Sequence, residues 1–324
     1  MTGKRLQAYV QQRRGVELPK QYVNFIGQRS MLEHTIHRAE LLIPQRQIVT
    51  IISKEHLRFA EVRRQLANQA NENVIIQPAN RETGPGIFLP LMHIYKRAPE
   101  AIVAVFPSDH FILEEERFID HVDLAVRAVS HDSSRIVLLG MEAQGPEVEY
   151  GYIHGAVNPW GTCSAASFVE KPDLAKAREL VRAGGLWSTM IMVFKISTVL
   201  KMLQRLSPTT YLQFTRIFEA IGTPAEGQVV ESVYQTLEPM NFSKGFLEKI
   251  VANDSTAISV LPVYSGAIGA RLCGLPNCWS CFGRSRANNH DALIFRVADR
   301  ELVRNPLCRE LAPLAGQSDD RWLH

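Results

Sequence analysis

The sequence predicts an α/β protein built on a doubly wound, mostly parallel sheet, and three observations carry that expectation. From residue 21 to about residue 143, short apolar runs alternate with longer amphipathic segments. Strands separated in this way by helices run mostly parallel and are joined by right-handed crossovers. The run AIVAVF at 101–106 is apolar throughout, as a strand covered on both faces is, and Pro107, Ser108, Asp109 and His110 follow at its carboxyl end. That edge of an open α/β sheet is where ligands bind. A carboxylate there, beside a hydroxyl and an imidazole, suits either the cap of a turn or an oxygen-ligated divalent cation such as Mg²⁺.

In order, Ser30 and Glu33 form a capping box opening the helix MLEHTIHRAELLI, whose apolar stripe is Met31, Leu32, Ile36 and Leu41 to Ile43. His34 and His37 lie one turn apart on it and read as surface or boundary residues, because neither belongs to a metal-binding motif. QIVTIIS (47–53) and NVIIQP (73–78) read as strands, with EHLRFAEVRRQLA as a helix between them and a second helix through IFLPLMHIYKRA. The central strand leads to a helix from about Glu114 to Val129 and to the strand RIVLLGMEA. After residue 143 the period changes: YGYIHGAV (150–157) and CSAASFVEKP (163–172) are β-segments, and DLAKARELVRAGG is a helix closed by Gly184 and Gly185. LWSTMIMVFKIS reads as a buried strand, three helices reach about residue 240, and AISVLPVYSG (257–266) is the last convincing strand. The expected organisation is one unit over 1–266, with halves 1–143 and 144–266, followed by an irregular tail over 267–324. That tail holds four of the five cysteines and eight arginines but no lysine, and its apolar periodicity is weak.

Composition excludes several classes. Hydrophobic residues at 46% with 21% charged exclude disorder, and no apolar run is long enough for a membrane-spanning helix. MTGKRLQAYVQQ has no apolar core, so it does not read as a signal peptide. Net charge is only +3, so composition implies neither nucleic-acid nor membrane partners. The first 20 residues nevertheless carry Lys4, Arg5, Arg13, Arg14 and Lys20 against Glu17 alone, a basic segment that fits either solvent or a polyanionic ligand. An odd number of cysteines and no export signal point to a reducing cytoplasm. Cys278 and Cys281 form a CxxC, but Cys273 and His290 do not complete it at the usual zinc spacing.

Seven polar motifs then fall in one order: GKRL at 3–6, PKQY at 19–22, QPANRETGPGI at 77–87, FPSDH at 106–110, EYGYIHG at 149–155, FVEKPD at 168–173 and NFSKGFLEK at 241–249. That order and spacing resemble the sugar-1-phosphate nucleotidylyltransferases, and within them the mannose-1-phosphate guanylyltransferases, over residues 3 to about 266. NRETGPG is similar to an N-R-x-T-A-P-A element with glycines for alanines, and PSDH matches P-[SA]-D-H. The resemblance implies a Rossmann-like fold of the nucleotide-diphospho-sugar transferase type with a β/helical sugar-binding portion. It also implies a reaction joining a sugar 1-phosphate to GTP with release of pyrophosphate. On that resemblance, Arg5 and Lys20 meet the triphosphate, Asp109 holds Mg²⁺, and Glu170 and Lys171 contact the sugar phosphate, with Gly151 allowing its close approach. The matching motifs add Gly3, Gln77, Arg81, Thr83, Ser108, His110 and Ser188 as substrate-binding candidates. Two anions must meet in such a reaction, so charge neutralisation and in-line positioning matter more than a nucleophilic side chain.

Three departures from the resemblance shape the expectations. A G-G-x-G-[ST]-R-L loop after a first strand is represented only by Gly3, Lys4, Arg5 and Leu6. W-N-S-G becomes Trp187, Ser188, Thr189 and Met190. VLPVYSG is followed by AIGARLCGLPNCWSC, without the aspartate of the expected W-S-D element. The resemblance therefore implies a chain without its first strand, with a frame disruption near Ser265 to Arg271, open neighbouring strand edges and impaired activity. A hexose-1-phosphate transferase using another nucleotide, and a catalytically silent nucleotide-sugar-binding homologue, are the alternatives. A homo-oligomer is left open.

Overall fold

The run at 101–106 forms a strand because every one of its side chains has an apolar face to enter. In the computed structural model, which describes residues 18–25, 27–157, 163–263 and 292–297, it is β3, Ile102–Pro107, buried along its whole length. Ile102, Ala104 and Phe106 enter one apolar cluster, and Val103 and Val105 enter the other. β1 (Ile48–Ser53) and β4 (Ile136–Glu142) alternate in the same way, so both faces of the sheet are covered.

Helices α1 (Met31–Glu40), α2 (Ala60–Leu66) and α4 (Glu115–His131) bring apolar side chains to the cluster that takes Phe106. α4 buries Phe118, Ile119, Val122, Ala125, Val126 and Val129, a stripe at helical spacing. α3 (Thr83–Arg97), α6 (Ile196–Leu206), α7 (Pro208–Ala220) and α8 (Glu226–Thr236) cover the other face, where Phe88 packs against Phe214, Phe242 and Phe246. The capping box at Ser30 and Glu33 is formed in full. The segment expected to be one helix from residue 55 is instead a 3-10 turn, Lys54–Arg58, followed by α2. Among the described residues no helix is long and apolar enough to cross a membrane.

The remaining strands are β2 (Val74–Gln77), β5 (Gly151–Val157), β6 (Cys163–Glu170), β7 (Leu186–Lys195), β8 (Ile258–Val263) and β9 (Ala292–Val297). They join β1, β3 and β4 in one sheet of order β2-β1-β9-β3-β7-β4-β8-β6-β5, and β5 also pairs with β7. The pairings β4-β7, β7-β5, β5-β6, β6-β8 and β8-β4 close one end of the sheet into a ring. α5 (Leu174–Arg182), N-capped by the Asp173 side chain, packs on this end through Ala177 and Leu180.

Two expectations need correction. Strands β1 to β5 and β8 share one direction, but β6, β7 and β9 run against their neighbours, so only β1–β2 and β4–β8 are parallel neighbours. β9 also falls inside the tail read as irregular. It pairs antiparallel with β1 through Val49↔Ile294 and with β3 through Ala104↔Phe295. The sequence ALIFRV is a short apolar run without a periodic neighbour, so its pattern alone does not announce a sheet partner. The facing edges of β1 and β3 carry backbone donors and acceptors that a strand must satisfy. β9 satisfies them, and those two edges are therefore not open.

Candidate active site

The shared strand direction brings the carboxyl ends of β1, β2 and β3 to one edge of the sheet, where Ser53 pairs with Gln77 and Asp109 follows Pro107. Across from Asp109 stands Lys20, on a 3-10 turn, Lys20–Tyr22, held by the buried Tyr22 ring. Tyr22 packs edge-on against His56 and its hydroxyl lies 3.2 Å from His56 Nδ1. Lys20 Nζ lies 2.5 Å from Asp109 Oδ2, with the two side chains 19% and 10% exposed. His110 Nε2 is 3.9 Å from the other carboxylate oxygen. Ser108 is buried beside them. Gln77 is also buried, and its Oε1 has no hydrogen-bond partner among the described residues.

A second group forms where the closed end of the sheet meets the turn of π-helix Ser243–Leu247 and helix α9 (Glu248–Asn253). The backbone N–H of Glu170, at the end of β6, donates to Glu248 Oε1 at 2.6 Å. Burial holds the Glu170 carboxyl above the usual carboxylate range, opposed by the neighbouring Lys171 charge and a hydrogen bond with Ser243, while Glu248 adds to the rise. A Cβ on Gly151 would sit 2.7 Å from Glu170 Oε2 and 3.2 Å from Phe168 Cζ, so a side chain there would push the Glu170 carboxylate aside. Lys171 has φ 49 and donates its N–H to the Tyr150 carbonyl at 3.2 Å. Left-handed backbone at a non-glycine residue is retained only where surroundings impose it.

Three other candidates have partners within the fold. Thr83 opens α3 and its Oγ1 accepts from the Phe242 N–H at 2.7 Å. Arg81 donates from Nε to the Tyr234 carbonyl at 2.9 Å and from Nη2 to that of Gln235 at 3.3 Å, so its guanidinium ties the 78–82 segment to the end of α8. Ser188 lies in β7 beside a bulge, where the pairing with β4 jumps from Leu138↔Met192 to Gly140↔Ser188. Met190, inside that bulge, has φ 58, and its Sδ receives the Ser243 hydroxyl at 3.0 Å. Gly3, Arg5 and the CxxC cysteines lie outside the described residues. Sequence reasoning did not single out Ser243 or Glu248, although both stand in the NFSKGFLEK motif, and it noted Met190 only as a departure from W-N-S-G.

Asp109 is the one carboxylate of this group among the described residues, and Lys20 engages one of its oxygens. Among the described residues no group of three His, Cys, Asp or Glu side chains gathers into a cage. One carboxylate at a ligand-binding edge is what Mg²⁺ uses when substrate phosphates and water supply its other oxygens.

The Lys20–Asp109 pair stands at the carboxyl edge of an α/β sheet, and sequence comparison gives the family of the chain. Residues 15–225 match the Nucleotidyl transferase family, and the chain belongs to it. The chain is 30% identical over 193 residues to the alginate biosynthesis protein AlgA of Pseudomonas aeruginosa, covering 58% of this chain and 40% of that one. It is also 30% identical over 195 residues to a mannose-1-phosphate guanylyltransferase of Escherichia coli, covering 59% and 41%. The matches thus span less than half the length of these curated relatives. In fold it is similar to a Thermus thermophilus crystal structure titled mannose-1-phosphate geranyltransferase, with TM-score 0.65 and 24% identity over 75% of this chain and 67% of that one.

Proposed function

We propose that the chain transfers GMP from GTP to mannose 1-phosphate, giving GDP-mannose and pyrophosphate. The observation that carries this reading is the Lys20–Asp109 pair at the carboxyl end of β3, set in a chain of the Nucleotidyl transferase family. A phosphate oxygen of the sugar attacks the α-phosphorus, one P–O bond forms, and the bond to the pyrophosphate oxygen breaks. Lys20 neutralises charge on the triphosphate as the two anions approach, which is where such a reaction needs help. Arg5 has the same role by resemblance. Asp109 would hold Mg²⁺, which supplies electrostatic stabilisation of phosphate charge when bound. Gln77, whose buried oxygen has no partner among the described residues, is a candidate contact for the nucleotide. Glu170, Lys171 and Gly151 receive the sugar phosphate, with Ser243 and Glu248 fixing Glu170. Arg81 and Thr83 hold the scaffold around the site, as their bonds to α8 and Phe242 support.

A second reading, transfer to a different hexose 1-phosphate, rests on Trp187, Ser188, Thr189 and Met190 standing where the resemblance has W-N-S-G, which removes its asparagine. Pyrophosphate release measured with GTP, UTP, dTTP and ATP against mannose 1-phosphate and glucose 1-phosphate separates the two. Turnover with GTP and mannose 1-phosphate supports the first reading. Nucleotide binding without turnover with any pair would leave a silent homologue instead.

A further inference from the structure

Helix α1 touches the supports of both Lys20 and Asp109. At its amino end, Ser30 Oγ donates to Gln65 Oε1 at 2.7 Å, Gln65 Nε2 donates to the Tyr22 carbonyl at 2.9 Å, and Met31 N–H reaches the Val23 carbonyl at 3.3 Å. These bonds fix the turn that carries Lys20. At its carboxyl end, Arg38 Nη2 donates to the His110 carbonyl at 3.2 Å and to Thr35 Oγ1 at 3.0 Å. Nη1 meets Glu115 Oε1 at 3.3 Å, and the guanidinium lies over the Phe118 ring. His34, one turn earlier, packs edge-on against Phe111 in the same loop.

Arg38 is 1% exposed, and its Nε has no partner among the described residues. Burial lowers its pKa to about 10, against the opposing pull of Glu115, so it stays charged at neutral pH. A buried ion pair can often be replaced by well-packed apolar side chains with no loss of stability. Stability alone is therefore a weak reason for an incompletely bonded guanidinium in this place. What the arginine does that an apolar residue cannot is grip a carbonyl one residue beyond Asp109 while anchored to the start of α4.

We propose that Arg38 is a positioning residue: by holding the His110 carbonyl it sets the Asp109 carboxylate against Lys20 and in place for the cation. This rests on reading Asp109 as the cation-binding carboxylate. Lysine cannot replace the fork, because a single ammonium does not span both the His110 carbonyl and Glu115 in fixed geometry.

The test measures Mn²⁺ binding by loss of the free-ion electron paramagnetic resonance signal on the full chain at a fixed GTP concentration, with the signal lost to GTP alone in a protein-free titration subtracted. Wild type is compared with Asp109→Asn, Arg38→Lys, Arg38→Met and a core truncation on α8, Val233→Ala. Thermal melting and amide hydrogen exchange over 108–113 accompany each titration. Both Arg38 variants are expected to weaken Mn²⁺ about tenfold, as loss of an outer-shell support does, and to speed exchange in 108–113. Val233→Ala should lower the melting temperature and do neither. Arg38 variants that melt earlier yet bind Mn²⁺ as wild type does would reduce Arg38 to a structural residue and overturn the proposal alone. If wild type and Asp109→Asn bind Mn²⁺ alike, the reading of Asp109 fails and takes this proposal with it.

Discussion

Replacing Lys20 by methionine tests whether the contact with Asp109 is an energetic pair or a mere proximity. At 2.5 Å, with the side chains 19% and 10% exposed, the pair has little water between or around it. Hydrogen bonds to charged groups contribute about 1.5–3 kcal/mol, and leaving one charge uncompensated in a partly buried place adds its desolvation. Without added metal, Lys20→Met should therefore destabilise the fold by about 1.5–3 kcal/mol. For a chain of this size that is a fall in melting temperature of roughly 2–4 °C. Asp109→Asn on the Lys20→Met background should recover part of the loss, because the carboxylate charge that faced Lys20 is then gone. The assay is a double-mutant cycle by urea unfolding, with melting curves at rising Mn²⁺. If Asp109 holds the proposed cation, that ion supplies the missing positive charge, and Mn²⁺ should stabilise Lys20→Met more than wild type. Single and double variants that add within about 0.5 kcal/mol would refute the coupling. Equal stabilisation of both proteins by Mn²⁺ would refute the competition for Asp109.

Three further expectations follow from the same contacts. Glu170 has a raised pKa in the folded chain, so its contribution is present below its unfolded value of about 4.3 and is lost as pH rises through the folded value. Glu170→Gln should thus stabilise the fold at neutral pH, with the gain fading on acidification, while weakening sugar-phosphate binding in calorimetry. His93, buried on α3 with Nε2 3.7 Å from Glu226 Oε1, has its pKa lowered to about 4, chiefly by burial. Its contribution is present above the unfolded value of about 6.5 and is lost as pH falls toward 4, so His93→Gln should flatten that part of the stability profile measured by denaturant titration. Gly84→Ala places a Cβ 2.8 Å from the Met240 carbonyl oxygen, which the helix-propensity gain does not offset, and should cost about 1–3 kcal/mol in unfolding experiments.

Which faces are buried is legible in the chain before it folds. Alternation in IVTIIS and IVLLGM assigns neighbouring side chains to opposite apolar clusters, and the Ser30 capping box marks the start of α1, because such signals depend on residues close along the chain. The order of the polar motifs likewise points to the Nucleotidyl transferase family. Partner choice across the chain comes from packing alone. ALIFRV becomes β9 because β1 and β3 present edges that need a strand, a demand invisible from within the run itself. Arg81 reads as a substrate contact because the motif matches, yet its fork meets two α8 carbonyls that only folding brings within reach. Arg38 draws no notice in the sequence, since one basic residue near the end of a helix is ordinary. Its burial, its reach to the His110 carbonyl and the meeting of Lys20 with Asp109 join segments far apart in sequence. Local periodicity states which way a side chain points; only the packed fold decides what it meets there.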